Sequence, residues 1–501
     1  MKNQNTDRVG DTKTPALQAT ESGLRTGADQ ARHIAAEKPS SSGRTTAAGN
    51  LASVLMSAKQ QKGPPTSCKQ ILWLSFFFDG TGNNHYADIG LNKHSNIARL
   101  FRTHKTTGED KDICSVYIPG IGTYFPEIGD EGGSKLGLGC GAMGEERLDF
   151  ALKKFDEFLS RPLAQAKAPA NAIQEINIAV FGFSRGAALA RAFVNLVMEK
   201  RCLLRDGNWT LKTGEWPVRF RFLGLFDTVA SVGLPMSSNT TGVYETYTAD
   251  TFGMIKKRLR NYPATRPEML AFAPNAAPGA DPAPGSFHGH KEWGSRLNVH
   301  ATVEEVRHFV AAHEIRNSFP LDSVSVLSNG RISKCENFYE AVYPGAHSDV
   351  GGGYAPGEGA RGLDPLENMS LVPLRHMYQC AIRCGVPMLA EWTADNEADF
   401  KADPEMCATY DSYLKAVGSF TSLGEGMNKH MALYYAWRFR SIKRKLRGDT
   451  TEAKLIRTQD DKFRRDEATL TKEVGGLQTK EMLAQLSMNA LIEVQHMKAS
   501  A

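Results

Sequence analysis

The residues best suited to chemistry lie in Gly182-Phe183-Ser184-Arg185-Gly186, a G-x-S-x-G set between an apolar run and an Ala/Leu/Arg-rich run. Between a strand and a helix, such glycines permit a turn so sharp that the serine backbone is strained. The hydroxyl then stands at the carboxyl edge of a sheet. Ile176-Asn177-Ile178-Ala179-Val180-Phe181 supplies the strand pattern and Ala187-Ala188-Leu189-Ala190-Arg191 the helical one. The chemistry on offer is nucleophilic attack by Ser184. The plainer alternative is a Gly-rich turn whose serine caps a helix, and nothing local separates the two.

A lone serine hydroxyl is a poor nucleophile at neutral pH. It needs an imidazole to take its proton and a carboxylate to orient that imidazole. Asp227 closes the apolar run Phe220–Phe226 and is the candidate acid, with a turn-capping aspartate as the alternative. Three histidines compete as base. His347 follows the expected strand Phe338–Tyr343 in a Gly-rich turn, whereas His308 and His313 fall on a segment whose spacing predicts a helix over Val303–Ala312. The chain order serine, acid, histidine, each just past a strand, is that of α/β-hydrolases, and His347 is preferred because it follows a strand, whereas a histidine on a helix is more often structural. Charge on a substrate carbonyl oxygen needs fixed N–H donors. The backbone N–H of Arg185 is one candidate, and the Gly80-Thr81 loop, otherwise a simple strand-to-helix turn, offers the second. Asp79 and Asp349 border the Gly-rich loops and could bind a cation or brace them. No ligand spacing compels a metal, and no metal or cofactor is expected.

Elements that would position these residues alternate strand and helix. Ile71–Phe78 is continuously apolar, as a strand buried on both faces should be, and runs into Asp79-Gly80-Thr81-Gly82-Asn83-Asn84. A helix over Ser95–Arg102, a strand over Ile113–Ile118, a Gly-rich loop over Pro119–Gly144 and a helix over Glu145–Leu159 precede the serine turn. The expected class is α/β: a mostly parallel, hydrolase-like sheet flanked by helices, with an inserted lid-like region and a helical C-terminal extension. Residues 1–66 read as a disordered segment, 67–385 as the catalytic domain and 386–501 as a helical region. Within the catalytic domain, 237–300 is an irregular insertion with one basic-amphipathic piece, Phe252–Tyr262, and is a candidate lid.

Composition narrows the function. The chain has 501 residues, 41% hydrophobic, and a formal net charge of only +5, without a Lys/Arg track interleaved with aromatics, so nucleic acid is not expected as a partner. Its eight cysteines are scattered without a C-x-x-C pair, which argues against a disulfide framework or zinc site. Cys380 and Cys384 are spaced to share a helix face and pack. The N-terminus lacks the apolar core of a signal peptide, and no run approaches the ~18 apolar residues of a membrane span.

Four stretches in order resemble the α/β-hydrolase family of type VI secretion phospholipase effectors, first class. They are Phe77-Phe78-Asp79-Gly80-Thr81-Gly82-Asn83-Asn84, Gly182-Phe183-Ser184-Arg185-Gly186-Ala187-Ala188, Gly224-Leu225-Phe226-Asp227-Thr228-Val229 and His347-Ser348-Asp349-Val350-Gly351-Gly352-Gly353-Tyr354. One departure is visible: His308-Phe309-Val310-Ala311-Ala312-His313-Glu314-Ile315-Arg316 carries His313 where the family pattern has an acid. The resemblance implies a bacterial toxin made in the cytoplasm. It would be loaded on a VgrG spike, often with an adaptor chaperone, and delivered to the target cell's periplasm or membrane surface. There it would hydrolyse acyl esters of membrane phospholipids as a phospholipase A, while a cognate immunity protein protects the producer. A cover meeting the membrane is also implied, from Ser237–His300 or from the basic-aromatic stretch Met427–Leu446. The plainer reading of that stretch, a solvated helix with aromatics packed on the core, is the preferred one.

Overall fold

The computed structural model describes residues 70–433 apart from 106–111, 134–140, 169–170, 230–242, 250–253, 261–291, 315–318, 320, 329–330, 359–360, 391 and parts of 421–432. For 243–249, 254–260, 326–328 and 331–333 only the backbone is described. The expectations for residues 1–66, for most of 237–300 and Met427–Leu446, and for the rest of the expected helical region beyond 433 therefore lie outside the described residues.

Eight strands form the main sheet: β1 (Gln70–Phe78), β2 (Ile113–Ile118), β3 (Ile173–Phe183), β4 (Cys202–Arg205), β5 (Asn208–Leu211), β6 (Pro217–Phe226), β7 (Val306–Ala311) and β8 (Phe338–Tyr343). Six run parallel in the order β8-β7-β6-β3-β1-β2, and the antiparallel β4–β5 hairpin adds to β6. Among the described residues, after a short helical turn at His85–Asp88, the helices are α1 (Asn96–Arg102), α2 (Gly144–Gln165), α3 (Arg185–Arg201), α4 (His347–Gly351), α5 (Leu371–Arg383), α6 (Ala394–Phe400) and α7 (Pro404–Val417). The architecture is α/β, a mostly parallel sheet between two helical layers.

Strand periodicity builds those layers, because successive side chains point to opposite faces. Leu72, Leu74, Phe76 and Phe78 of β1, with Ile176, Ile178 and Val180 of β3, meet α2 and α3. Phe77, Ala179, Phe181 and Phe183 point the other way, into a cluster with α1, α5, α6 and α7. Both faces are buried, which is why these strands read as continuous apolar runs. A fully buried phenylalanine contributes roughly 2–3 kcal/mol, so the Phe76-Phe77-Phe78 run anchors both layers from one strand.

Two sequence expectations are corrected. Val303–Ala312 is not helical; Val306–Ala311 is β7, hydrogen-bonded on one side to β6 and on the other to β8. Val303, Val306 and Val310 mimic helical spacing, but the segment is held between two parallel neighbours, and sheet pairing overrides the pattern. The insertion is not wholly irregular either: Val243–Ala249 and Met254–Arg260 pair as an antiparallel hairpin, so the centre of the basic piece is strand. Cys380 lies on α5 with Cys384 as its cap, both free thiols.

Two buried arginines fasten loops to this frame. Arg147 of α2 donates to Pro119 O (2.8 Å), Gly120 O (2.9 Å) and Asp130 Oδ2 (2.8 Å). Arg191 of α3 donates to Leu297 O (2.7 Å) and Asp322 O (2.9 Å) and pairs with the Asp322 carboxylate at 2.8 Å. Among the described residues no helix is long and apolar enough to cross a membrane.

Candidate active site

Ser184 sits between β3 and α3 with φ 59° and ψ −131°, a conformation that costs a non-glycine residue about 1–3 kcal/mol. Neighbouring backbone permits no relief. A Cβ on Gly186 would stand 2.3 Å from Asp79 O, and one on Gly182 would stand 2.5 Å from the Ala187 Cα. Ser184 precedes α3 but its side chain makes no capping hydrogen bond, so the capping alternative lacks its defining contact. The serine is 2% exposed.

Asp227 follows β6 with φ 39° and is buried. Backbone bonds lock it beside the serine: Ser184 N–H donates to Phe226 O (3.0 Å), Val229 N–H to Ser184 O (3.2 Å) and Asp227 N–H to Phe309 O (2.7 Å). Its carboxylate Oδ1 accepts from Ala311 N–H at 2.9 Å, and Oδ2 lies 2.6 Å from His347 Nδ1. His347 opens α4, buried, with its ring between Phe183 (centroids 4.6 Å apart) and Phe319 (4.9 Å). A carboxylate can only accept, so Nδ1 donates this bond and Nε2 is turned away from Asp227. Nε2 has no hydrogen-bond partner; the link from serine to imidazole is open in this state.

The other histidines have different employment. His308, fully buried on β7, lies 2.9 Å from Glu340 Oε1 through Nδ1, and its Nε2 accepts the Thr228 N–H at 3.1 Å. Both ring nitrogens are thus engaged in bracing the loop behind Asp227. Burial alone would raise the Glu340 carboxyl, but the hydrogen bonds from His308 and Ser323 and the charge of Lys334 bring it down, to about 2. His313, just past β7, accepts the Gly345 N–H at 3.0 Å through Nδ1, and neighbouring Glu314 accepts the His347 N–H at 3.3 Å. Sequence reasoning missed these supports, although a lone glutamate inside the apolar strand Phe338–Tyr343 is itself a signal, since a buried carboxylate needs partners.

Arg185 begins α3, and the Asp79–Asn84 loop lies against the first turn of that helix through Gly186. A Cβ on Gly80 would meet the Phe183 ring at 2.4 Å, and the Thr81 hydroxyl is buried without a partner. Asp79 is a brace: it accepts from Gly80 N–H (2.7 Å), Ser95 Oγ (2.6 Å) and Tyr117 Oη (2.5 Å). Burial pushes its carboxyl up to about 6 against those three donors. Asp349 accepts from Ala346 N–H at 2.8 Å. The structure thus brings Asp227 onto His347, His347 and Gly80 onto the Phe183 ring, and the backbone around Asp227 onto Ser184, with Arg185 opening the helix after it.

Among solved structures, the fold is similar to an uncharacterized protein from Pseudomonas aeruginosa, with TM-score 0.56 and 23% identity over 88% of this chain and 64% of that one. This chain therefore spans less than two thirds of that relative. The Tle1 effector bound to the VgrG spike of the type 6 secretion system is a more distant likeness, with TM-score 0.40 and 21% identity over 73% of this chain and 84% of that one. No curated protein matches. The family model of the T6SS phospholipase effector Tle1-like catalytic domain matches residues 74–216 and 206–380, and so runs from β1 through α5 and takes in every site residue above. The chain belongs to the Tle1-like phospholipase effectors of the type VI secretion system.

Proposed function

We propose that this chain is an α/β-hydrolase-like serine phospholipase of A type, which hydrolyses acyl esters of membrane phospholipids through Ser184, His347 and Asp227. The observation that carries the reading is the 2.6 Å contact between Asp227 and His347, whose ring lies against Phe183, the residue before a strained, non-capping serine, with Nε2 unpartnered. Family membership supports the lipid substrate. Ser184 Oγ attacks the acyl carbonyl as its proton passes to His347 Nε2, and Asp227 stabilises the imidazolium formed. The carbonyl oxygen takes the negative charge and is held by N–H groups of Arg185 and the Gly80-Thr81 loop. Collapse expels the lysophospholipid alkoxide, which takes the proton from His347. Water, deprotonated by the same imidazole, then cleaves the acyl-enzyme to fatty acid and restores the serine.

Because Ser184 and His347 are both buried, substrate entry moves a cover and brings the hydroxyl onto Nε2, a contact that commonly tightens only in the complex. The 237–300 insertion is the proposed cover, and delivery is on a VgrG spike, with an adaptor chaperone and a cognate immunity protein. Ser184→Ala is expected to abolish fatty-acid release from phosphatidylglycerol or phosphatidylethanolamine vesicles with the melting temperature retained. Undiminished release would refute the mechanism. A wild-type enzyme with no rate increase between monomeric and vesicular substrate would instead be an esterase for small soluble esters.

A further inference from the structure

The loop carrying His347 is held from an unexpected direction. Between β8 and α4, Gly345 exchanges two hydrogen bonds with His313: its N–H donates to Nδ1 at 3.0 Å, and its carbonyl accepts the His313 N–H at 3.0 Å. An N–H pointing at Nδ1 requires a lone pair there, so the ring proton of His313 is on Nε2. That Nε2 faces the Tyr413 hydroxyl of α7 at 3.3 Å and the His430 carbonyl at 3.4 Å. The Tyr413 hydroxyl lies 3.0 Å from His430 Nδ1. With its oxygen facing the His313 N–H, it donates its own proton to His430. The chain of donors then runs Gly345 N–H to His313, His313 to Tyr413, Tyr413 to His430.

Independent packing joins the same parts. Phe420 and Leu423, beyond α7, form a buried apolar cluster with Val310 and Ala312 at the end of β7 and Val342 of β8. His430 is fully buried. Burial lowers both imidazoles, His313 to about 4 and His430 well below its ordinary value. Both rings are neutral at pH 7, as each lone pair in the chain requires.

We propose that His313, Tyr413 and His430 are positioning residues, through which the segment after α7 fixes the turn bearing the catalytic base. The proposal rests on the assignment of His347 as that base. It gives a physical role to His313, the position where the sequence departs from its family pattern: an imidazole accepts from the base-bearing turn on one side and donates toward the C-terminal segment on the other.

The test uses the full chain with phosphatidylglycerol vesicles, a fluorophosphonate probe and hydrogen exchange of the peptide spanning 338–350. Tyr413→Phe keeps the ring and removes the link, so kcat and the labelling rate should fall about 10-fold or more with KM unchanged, and exchange across 344–347 should quicken. Tyr410→Phe is the control, since the Tyr410 hydroxyl is buried without a partner; its kcat and exchange should match wild type. His430→Asn keeps an acceptor near the Nδ1 position and should retain most of kcat, whereas His430→Leu should behave as Tyr413→Phe. The His430 pair decides the matter if Tyr413→Phe does not fold. Wild-type kcat and exchange in both Tyr413→Phe and His430→Leu, or equal losses in Tyr410→Phe, would overturn the positioning role while leaving the hydrolase reading intact. A wild-type chain that the probe does not label at Ser184 would end both.

Discussion

At the residue scale, the site depends on how each polar group is satisfied. Asp227→Asn exchanges a carboxylate acceptor for an amide and should lower kcat by about 1,000- to 10,000-fold with little change in KM, as measured by fatty-acid release. Glu340 gives a stability prediction with a definite sign. Its folded pKa lies below the ordinary 4.5, at about 2. Its contribution is therefore complete above pH 4.5 and lost as pH falls from 4.5 through 2. Glu340→Gln should cost roughly 2–4 kcal/mol at pH 7 by urea unfolding, with the gap to wild type closing below pH 4.5. Asp79 has the opposite sign: its pKa is raised from 3.8 to about 6, so its stabilising share is complete below pH 3.8 and lost as pH rises through 6. Carboxyl carbon NMR, assigned with Asp79→Asn, should find this group protonated at pH 5 and ionised at pH 7.5. The positions of Ser184, Asp227 and His347 were legible at this scale because each sits just past an apolar strand. The fates of His308 and His313 were not, since ring occupancy depends on Glu340, Thr228, Gly345 and Tyr413, which lie far away in sequence.

Strands and helices set which of these groups can meet. Parallel order brings the carboxyl ends of β3, β6 and β8 to one edge, so Ser184, Asp227 and His347 converge there although 43 and 120 residues separate Asp227 from its two partners. Gly186→Ala would place its Cβ 2.3 Å from the Asp79 carbonyl, forcing α3 from β1. A loss of several kcal/mol in stability and of probe labelling at Ser184 is expected. Most boundaries were readable at this scale: Ile113–Ile118 and Phe338–Tyr343 appear with the limits their apolar runs suggested. β7 was not, because Val303, Val306 and Val310 satisfy a helical period too, and only pairing to β6 and β8 decides between the two.

For the molecule as a whole, the helices after residue 385 share the core of the sheet. Phe400, Tyr410 and Leu414 lie in one buried cluster with Phe77 and Phe181. A chain ended at residue 385 is therefore expected to lose cooperative thermal unfolding, which circular dichroism would reveal as a broad or absent transition. Composition could not foretell this, because α6 and α7 are short and their apolar residues sparse. One ring ties the site to this larger body. Phe183 stacks on His347, and side chains added at Gly80 or Gly351 would overlap it, at 2.4 Å and 1.9 Å. The variable letter of the G-x-S-x-G signature is thus a template against which two distant segments take their spacing. A designer moving this chemistry to another scaffold would have to carry the aromatic ring and its two bare neighbours together, or the imported serine would arrive without its geometry.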